Sequence, residues 1–199
     1  MSTEVELDAR TLRGLAHPLR VRLLGELRLH GPSTATRLAE RLGESSGATS
    51  YHLRQLALYG FVEEEPAAEG REKGPRERWW RAAHQMSRMR AAVFDTDSSM
   101  LAEAYLLAVL ADNFDLARRA IHELPHLEPQ WREGSTVSDA NLRLTADELQ
   151  RLKAELMEVV ARYRPADTPT PAVVPAGAEA VVVQVHAFRV PGGARGEST

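Results

Sequence analysis

The feature that most constrains the fold lies between residues 18 and 83, where three short helical patterns precede two strand-like segments. Pro18 has no backbone N–H to donate but is preset for a first helical turn, so it predicts a helix that begins there. One buried face of that helix is marked by apolar residues at helical spacing: Leu19, Leu23, Leu24 and Leu27. Gly31 and Pro32 are expected to end it.

Two more helices follow at short intervals. Ser33 is predicted to cap the second, over residues 34–42, and Gly43 to stop it. Its apolar stripe consists of Leu38, Ala39 and Leu42. The third helix is expected to be capped by Ser45 or Ser46, to run to about Tyr59 and to be closed by Gly60.

The third helix has one apolar and one polar side. Thr49, Leu53 and Leu56 share the apolar side, with Ser45 and His52 at its margin. The opposite side carries Gly47, Ser50, Tyr51, Arg54 and Gln55. Hydroxyl, amide and guanidinium groups hydrogen-bond base edges and phosphates, so this side suits the major groove of a duplex. The alternative is the polar outer face of an ordinary three-helix domain.

A β-hairpin is predicted after the third helix. Residues 61–65 and 77–82 have strand-like patterns and flank a segment rich in Gly, Pro and charge, residues 66–76. Arg71, Lys73 and Arg76 lie in or beside its tip, where cationic side chains can reach a phosphate backbone or a minor groove. Glu69 and Glu72 dilute that positive charge.

Four motifs in this order resemble the winged helix-turn-helix of the ArsR family of bacterial transcriptional regulators, in a branch of actinobacterial type. The motifs are residues 17–24 (HPLRVRLL), 39–43 (AERLG), 50–56 (SYHLRQL) with 60–62 (GFV), and 76–81 (RERWWR). The resemblance covers about residues 8–83. It implies a homodimer that binds a near-palindromic operator, usually as a repressor, with residues 45–59 as the recognition helix. It also implies DNA contacts by Ser46, Gly47, Ser50, Tyr51 and Arg54, and an inward, structural role for His52.

Many members of that family sense metals through cysteines, but this chain has no Cys. Thiolate sensing and disulfide switching are therefore excluded. His122 and His126 are four residues apart, but Pro125 between them breaks the helix that would align them, so no metal site is predicted. No cofactor is expected. Without a Gly-rich phosphate loop or a nucleophile-base pair, an enzyme is not expected either.

Composition and charge set further bounds. A hydrophobic content of 43% argues against wholesale disorder. Residues 1–83 carry 13 Arg and Lys against 12 Asp and Glu, and residues 84–199 carry 12 against 16, which together give the net charge of −3. Non-specific affinity for DNA is therefore expected to be modest and salt-sensitive. The sequence shows no secretory signal or apolar membrane-length run, so the expected location is the cytoplasm.

Residues 84–199 are predicted to form dimerisation helices and a small α/β unit. Ser98 and Ser99 can cap a helix over about 100–113 that is apolar over much of its circumference, and a second helical segment follows over 115–124. The family resemblance assigns the first helix and residues 8–16 to the dimer interface, with Leu12, Leu15, Leu101, Tyr105 and Ala108 as interface residues. The alternative is that the helix packs within its own monomer.

The last segments alternate between strand and helix patterns. Residues 125–138 are expected to be a loop. Residues 141–144 and 179–190 have strand patterns, and a helix with a capping box at Thr145 lies between them. A Pro-rich linker spans residues 165–177. This unit can sense a small-molecule effector, stabilise the dimer or recruit another protein.

The sequence thus predicts an α+β, mainly helical chain with a winged helix-turn-helix domain over 1–83 and a second part over 84–199. The predicted function is sequence-specific binding of double-stranded DNA by a homodimer that regulates transcription, most simply as a repressor. The alternative is a winged-helix protein-interaction module or a small-molecule-sensing adaptor without direct DNA readout. The weak basicity and the acidic first wing strand favour that alternative.

Overall fold

A computed structural model of the chain describes residues 4–65, 78–163 and 174–192. Its contacts divide the chain into two compact units, Met1–Pro125 and His126–Thr199. Each unit is described by itself below.

The first unit contains five helices and five strands within its described residues. In chain order they are β1 (Glu4–Leu7), α1 (Ala9–Leu15), α2 (Pro18–His30), β2 (Ser33–Thr34), α3 (Ala35–Leu42), α4 (Ser46–Leu58), β3 (Val62–Glu64), β4 (Trp79–Ala82), β5 (Met86–Met89) and α5 (Ser99–Glu123). Short 3₁₀ turns at Ala91–Asp95 and Leu124–His126 flank α5.

Side-chain caps fix where the amino-terminal helices begin. A capping box joins Asp8 and Thr11 at α1, with each backbone N–H 2.7 Å from the other side chain. Before α2, the His17 Nδ1 accepts from the Leu19 N–H at 3.2 Å, and Pro18 occupies the first helical position as predicted. The predicted Ser33 cap of α3 is wrong. The helix begins one residue later than expected, at Ala35, and the Thr34 hydroxyl caps it by accepting from the Arg37 N–H at 3.4 Å.

The described strands of the first unit form two small sheets, one of two strands and one of three. The predicted hairpin is confirmed at its base, where β3 and β4 pair antiparallel, and β2 adds to the other edge of β4. A parallel pair between β1 and β5 was not predicted. Ion pairs flank it, from Arg88 to Glu4 at 3.1 Å and from Arg90 to Glu6 at 2.8 Å.

The core of the first unit is built mainly from leucines. The predicted buried face of α2 is confirmed, because Leu19, Leu23, Leu24 and Leu27 are all buried. They pack with Leu38 of α3, Leu53 and Leu56 of α4, and Phe61 at the start of the hairpin. Helices α2 to α4 followed by the β3–β4 hairpin form a winged helix-turn-helix, and the chain as a whole is α+β and mainly helical, as predicted.

Helix α5 is longer than predicted. The two helical segments expected over 100–113 and 115–124 form one helix of 25 residues, from Ser99 to Glu123. The residues where the two expected segments meet, Asp112 to Asp115, are all compatible with a helix interior, and Pro125 is the first residue that cannot continue one. Ser98 lies at the cap position but its side chain makes no capping hydrogen bond.

The second unit contains α6 (Pro129–Gly134) and α7 (Ala146–Ala161). The predicted capping box of α7 is confirmed between Thr145 and Glu148. The loop expected over 125–138 is wrong in part, since α6 lies within it. The strands expected at 141–144 and 179–190 are also wrong for the described chain. Within the described residues, neither segment takes part in a sheet.

Within the described ranges, no helix combines the length and the apolar composition that crossing a membrane would require.

Candidate nucleic-acid interface

The candidate interface is built on α4, whose apolar side anchors it in the core. Thr49, Leu53 and Leu56 are each fully buried, as the helical periodicity predicted. Ser45 caps the helix by accepting from the Ala48 N–H at 3.2 Å. At the other end Gly60 has φ of 79°, a left-handed conformation that favours glycine and turns the chain into the hairpin.

The opposite side of α4 faces away from the core. Ser46, Gly47, Tyr51 and Arg54 are exposed, with 52% of Tyr51 accessible, and Ser50 is half-buried. The structure therefore brings together on one surface the five residues that the sequence singled out as contact positions. This surface, named here the α4 outer face, offers two hydroxyls, a phenol and a guanidinium.

Gly47 lies in the first turn of α4. A Cβ built there meets no described atom within 4 Å, and its backbone is not in a glycine-specific conformation. Nothing in the described part of the chain therefore requires a glycine at this position. A glycine would, however, let another molecule approach the helix backbone closely.

Two histidines stack beneath the α4 outer face. The ring centroids of His17 and His52 are 4.2 Å apart, and Tyr51 packs edge-on against His52 at 5.1 Å. Burial is the main cause that lowers the pKa of His52 below its ordinary value, and the positive charges of His17 and Arg20 lower it further. A neutral His52 supports Tyr51 from behind and links the start of α2 to α4.

The base of the wing carries matched charges. Arg78 bonds Glu64 at 2.9 Å, while Arg81 reaches Glu63 at 2.8 Å and Glu65 at 2.9 Å. Glu63 and Glu64 of β3, and Glu65 directly after it, are thus each paired with Arg78 or Arg81. The acidic character that the sequence suggested for this strand is largely compensated locally. The predicted tip contacts Arg71, Lys73 and Arg76 lie outside the described residues.

A link between α3 and the wing was missed by sequence reasoning. The guanidinium carbon of Arg37, an exposed residue of α3, lies 4.9 Å from the ring centroid of Trp79 in β4. Such a cation–π contact fixes the arginine against the root of the wing. Trp79 and Trp80 were visible in the sequence, but the contact of Trp79 with Arg37 depends on the sheet that brings β4 beside α3.

The residues expected at a dimer interface lie mostly on inward surfaces. Leu12 and Leu15 are fully buried in the core of the single chain, which leaves them no side-chain surface for a partner. Leu101 and Tyr105 are partly buried and pack against the same core, and Ala108 is half-buried.

Helix α5 instead exposes a different set of apolar residues. Met100, Leu107, Phe114 and Ile121 recur every seven residues and are 79%, 58%, 70% and 46% exposed. Leu110 lies between them and is 44% exposed. We call these five residues the α5 stripe. The seven-residue repeat was present in the sequence, but it runs across two segments, 100–113 and 115–124, that were considered separately.

A half-buried arginine of α2 ties the helix-turn-helix to the segment around β5. Arg28 of α2 donates from Nε to the His84 carbonyl and from Nη2 to the Ser87 hydroxyl, both at 2.9 Å. Burial lowers its pKa to about 10, so it stays charged at neutral pH. Burial also raises the pKa of the neighbouring Tyr105 on α5. Arg28 and Tyr105 of α5 both bond the Ser87 side chain, so Ser87 connects α2 with α5.

Comparison with known proteins gives a match for the helix-turn-helix alone. Residues 15–65 match a family model described as a helix-turn-helix domain, which spans less than half of the chain. That match covers α2, α3, α4 and the first wing strand. No curated protein matches the chain in sequence.

Several solved structures show a distant likeness. One is the homodimeric winged helix-turn-helix DNA-binding domain of a possible ArsR-family regulator from Mycobacterium bovis, at 22% identity and a TM-score of 0.33 over 52% of this chain and 77% of that one. Another is apo MarR from E. coli, at 17% identity and a TM-score of 0.30, over 75% of this chain and 88% of that one. A MarR variant from E. coli complexed with operator DNA has 18% identity and a TM-score of 0.30, over 76% of this chain and 84% of that one.

Proposed function

We propose that this chain is a homodimeric, sequence-specific regulator of transcription that binds double-stranded DNA, with α4 in the major groove and the wing over residues 66–76 at the phosphate backbone. The observation that carries the proposal is the α4 outer face. It groups five small or hydrogen-bonding residues on the exposed side of a helix whose other side is fully anchored.

The chemistry of that face suits base reading. An α-helix fits the width of the major groove, and Arg54 can make the bidentate contact to guanine that is the commonest specific contact. Ser46 and Gly47 lie in the first turn, where free backbone N–H groups and the helix dipole favour a phosphate. The open space at Gly47 agrees with a close approach to the groove.

The charges at the wing weigh against the alternative of a protein-interaction module without DNA readout. That alternative drew support from the run Glu63 to Glu65, but each of these acids is paired with Arg78 or Arg81. The wing base therefore presents little uncompensated negative charge to a phosphate backbone. We assign contacts with that backbone to Arg71, Lys73 and Arg76 at the tip.

The dimer in this proposal forms through the α5 stripe. An antiparallel pair of α5 helices, centred between residues 110 and 111, places Leu107 against Phe114 of the partner subunit. The same arrangement places Glu103 opposite Arg118 of the partner subunit, whereas a parallel pair would place Glu103 opposite the partner's Glu103. Charge and apolar spacing thus favour the antiparallel pair. A two-fold axis then presents two α4 helices to half-sites about one helical turn apart.

Occupancy of a promoter by such a dimer would repress transcription. A small-molecule effector that shifts the distance between the two α4 helices would regulate it, and Ser87, which bonds both Arg28 of α2 and Tyr105 of α5, connects these two helices.

The test compares single substitutions on a selected operator. Genomic fragments are enriched on the wild-type protein, and one fragment is then titrated by fluorescence anisotropy at two salt concentrations. Arg54→Ala is expected to weaken binding by about 1–3 kcal/mol if the contact is bidentate. The matched control is Arg143→Ala, an exposed arginine of the second unit, which should bind as the wild type does.

Three results would count against the proposal. Unchanged affinity of Arg54→Ala would remove this residue from the contact set. Equal losses for both arginine variants would show a general charge effect instead of base reading. A wild-type protein that selects no fragment, or that binds all fragments alike, would favour the protein-interaction module.

A further inference from the structure

Two histidines lie where the start of α2 meets α4, beneath the α4 outer face. The ring centroids of His17 and His52 are 4.2 Å apart, and the two ring planes are inclined by 36°. His17 is the residue before α2 and His52 lies within α4, so the contact joins two helices of the helix-turn-helix. We call these two residues the histidine pair. Histidine ordinarily changes its charge between about pH 5 and pH 8, so the charge at this contact depends on pH.

The observed arrangement of the pair requires a neutral His17. Its Nδ1 accepts from the Leu19 N–H at 3.2 Å and thereby caps α2. A protonated imidazole donates from both of its nitrogens and accepts at neither. Protonation of His17 would therefore remove the cap. It would also place a positive charge at the amino end of a helix, where the helix dipole disfavours it.

The surroundings of His52 disfavour a charge as well. The residue is half-buried, and its Nδ1 atom is buried and makes no hydrogen bond within the described residues. An imidazolium must carry a proton on this nitrogen too, and among the described residues no acceptor is placed to receive it. A buried donor without an acceptor is unfavourable. The charged form of His52 therefore fits this position poorly.

The charged groups around His52 come from both sides of the contact. His17 and Arg20 at the start of α2 oppose a positive charge, whereas Glu44, between α3 and α4, favours one. Burial is the main cause that lowers the pKa of His52, and the two positive groups lower it further. Glu44 compensates only in part, because its carboxylate already lies 3.4 Å from Nη1 of Arg22. Two imidazolium rings at the distance of the pair would repel each other.

The histidine pair is connected to the α4 outer face through Tyr51. The Tyr51 ring packs edge-on against His52, with the ring centroids 5.1 Å apart and the planes at 76°. Tyr51 is 52% exposed on the face assigned to DNA contact. The contact limits the positions open to the phenol ring, so less side-chain entropy is lost when Tyr51 meets a duplex. A displacement of His52 would change the position of a DNA-contact residue.

We propose that the histidine pair is a proton-sensitive support of the α4 outer face, which holds α2, α4 and Tyr51 in the DNA-binding arrangement while both rings are neutral. Uptake of a proton separates the two rings and releases Tyr51, so acidification weakens operator binding. The inference rests on the proposed function and names a regulator of the same site, which is the proton itself. His52 is a positioning residue in this scheme, because it acts on DNA through Tyr51.

The test measures operator affinity by fluorescence anisotropy at pH 7.5 and pH 5.5, with a non-operator fragment of equal length in parallel. Protonation adds positive charge, which favours the phosphates of both fragments alike. The ratio of the two affinities therefore isolates the effect on base contacts. We expect this ratio to fall by about tenfold at pH 5.5, since one linked proton changes an equilibrium by at most about tenfold per pH unit.

Variants separate the charge of the pair from its shape. His52→Phe keeps an aromatic ring against His17 and Tyr51 but takes up no proton. His17→Asn keeps a side-chain acceptor for the cap and is likewise uncharged. Each variant should bind the operator at pH 7.5 nearly as the wild type does, and the double variant should lose the pH dependence of the affinity ratio. His126→Asn, at an exposed histidine, is the matched control and should keep it.

Nuclear magnetic resonance of the histidine rings provides a second readout, which a merely structural role would not change. The His52 signal is assigned by its loss in His52→Phe and is followed over a pH series with and without operator. Because coupling between two ligands is reciprocal, operator binding should lower the pKa of His52 by up to about one pH unit. Circular dichroism at pH 5.5 should still show the helical signal of the folded chain.

Contrary outcomes distinguish this inference from the proposed function. A wild-type affinity ratio that is equal at both pH values, or that rises on acidification, would overturn the inference and leave DNA binding intact. A double variant with the pH dependence of the wild type would do the same. Loss of the helical signal over this pH range would show unfolding of the chain in place of a local release of Tyr51. A wild-type protein that selects no operator at pH 7.5 would overturn the proposed function, and the inference with it.

Discussion

Substitution of Gly14 by Ala is expected to destabilise the first unit, although alanine is the better helix former. A Cβ at Gly14 would lie 2.6 Å from Cγ and 2.7 Å from Cβ of Tyr59, and 3.0 Å from a ring carbon of Phe61. These Tyr59 atoms are near the backbone and cannot swing away as the end of a long side chain can. Overpacking of this kind costs about 1–3 kcal/mol, and the upper half of that range applies because contacts below 3.0 Å require α1 to move from α4.

Helix propensity opposes this cost in part. Alanine is favoured over glycine in a helix interior by about 1 kcal/mol. The net expected loss in the free energy of unfolding is therefore about 1–2 kcal/mol. Gly47→Ala is the matched control, since it makes the same change in α4, where the new Cβ meets no described atom. It should leave stability unchanged or raised by up to about 1 kcal/mol.

Urea unfolding followed by tryptophan fluorescence measures both variants, with Trp79 and Trp80 buried in the first unit as reporters. Gly14→Ala should lower the midpoint and Gly47→Ala should not. In the proposed complex, by contrast, Gly47→Ala should weaken DNA binding more than Gly14→Ala does, because the methyl group at residue 47 faces the duplex. If Gly14→Ala were as stable as Gly47→Ala, the close packing of α1 on Tyr59 would not be a constraint, and the reasoning would be refuted.

Three further outcomes are expected. The lowered pKa of His52 means that the folded state takes up a proton less readily than the unfolded state. The contribution of His52 to stability should therefore be full above about pH 6.5 and fall as the pH drops below it. Unfolding midpoints should change less between pH 7.5 and pH 5.5 in His52→Gln than in the wild type. Arg28→Met should cost about 2 kcal/mol in unfolding free energy, because two partly buried acceptors lose their charged donor. A smaller loss for Arg28→Lys would confirm the role of the charge. Phe114→Glu should shift sedimentation from dimer to monomer without unfolding the chain, since Phe114 is 70% exposed. Val137→Glu, at another exposed apolar residue, is the control and should remain dimeric. A dimer that survives Phe114→Glu would contradict the α5 interface.

The sequence predicted the helix-turn-helix well because its signals are local. Pro18, Ser45 and Gly60 mark helix ends through backbone geometry that hardly depends on the rest of the chain. The buried and exposed sides of α4 follow from the spacing of Thr49, Leu53 and Leu56 alone. The candidate site could be predicted for the same reason, since its residues lie on one helix.

Features that depend on distant residues could not be predicted. Strand β1 has four residues and is defined by pairing with β5 some 80 positions later, so its own pattern is too short to reveal it. Leu12 and Leu15 have the composition of either a core or an interface, and only packing distinguishes the two. The strand patterns at 141–144 and 179–190 show what a segment favours, but a strand also needs a neighbour.

The charge distribution explains why a second copy matters for the proposed function. The residues from 1 to 83 carry a net charge of only +1, and the wing-base arginines are already paired with acids. A single α4 outer face, with one arginine, therefore has little long-range attraction for a duplex and must obtain its affinity from short-range geometry. Two such faces on one rigid dimer make the second binding event intramolecular, which raises affinity without more charge. Discrimination between sites then depends on half-site spacing, and hence on the interface formed by α5.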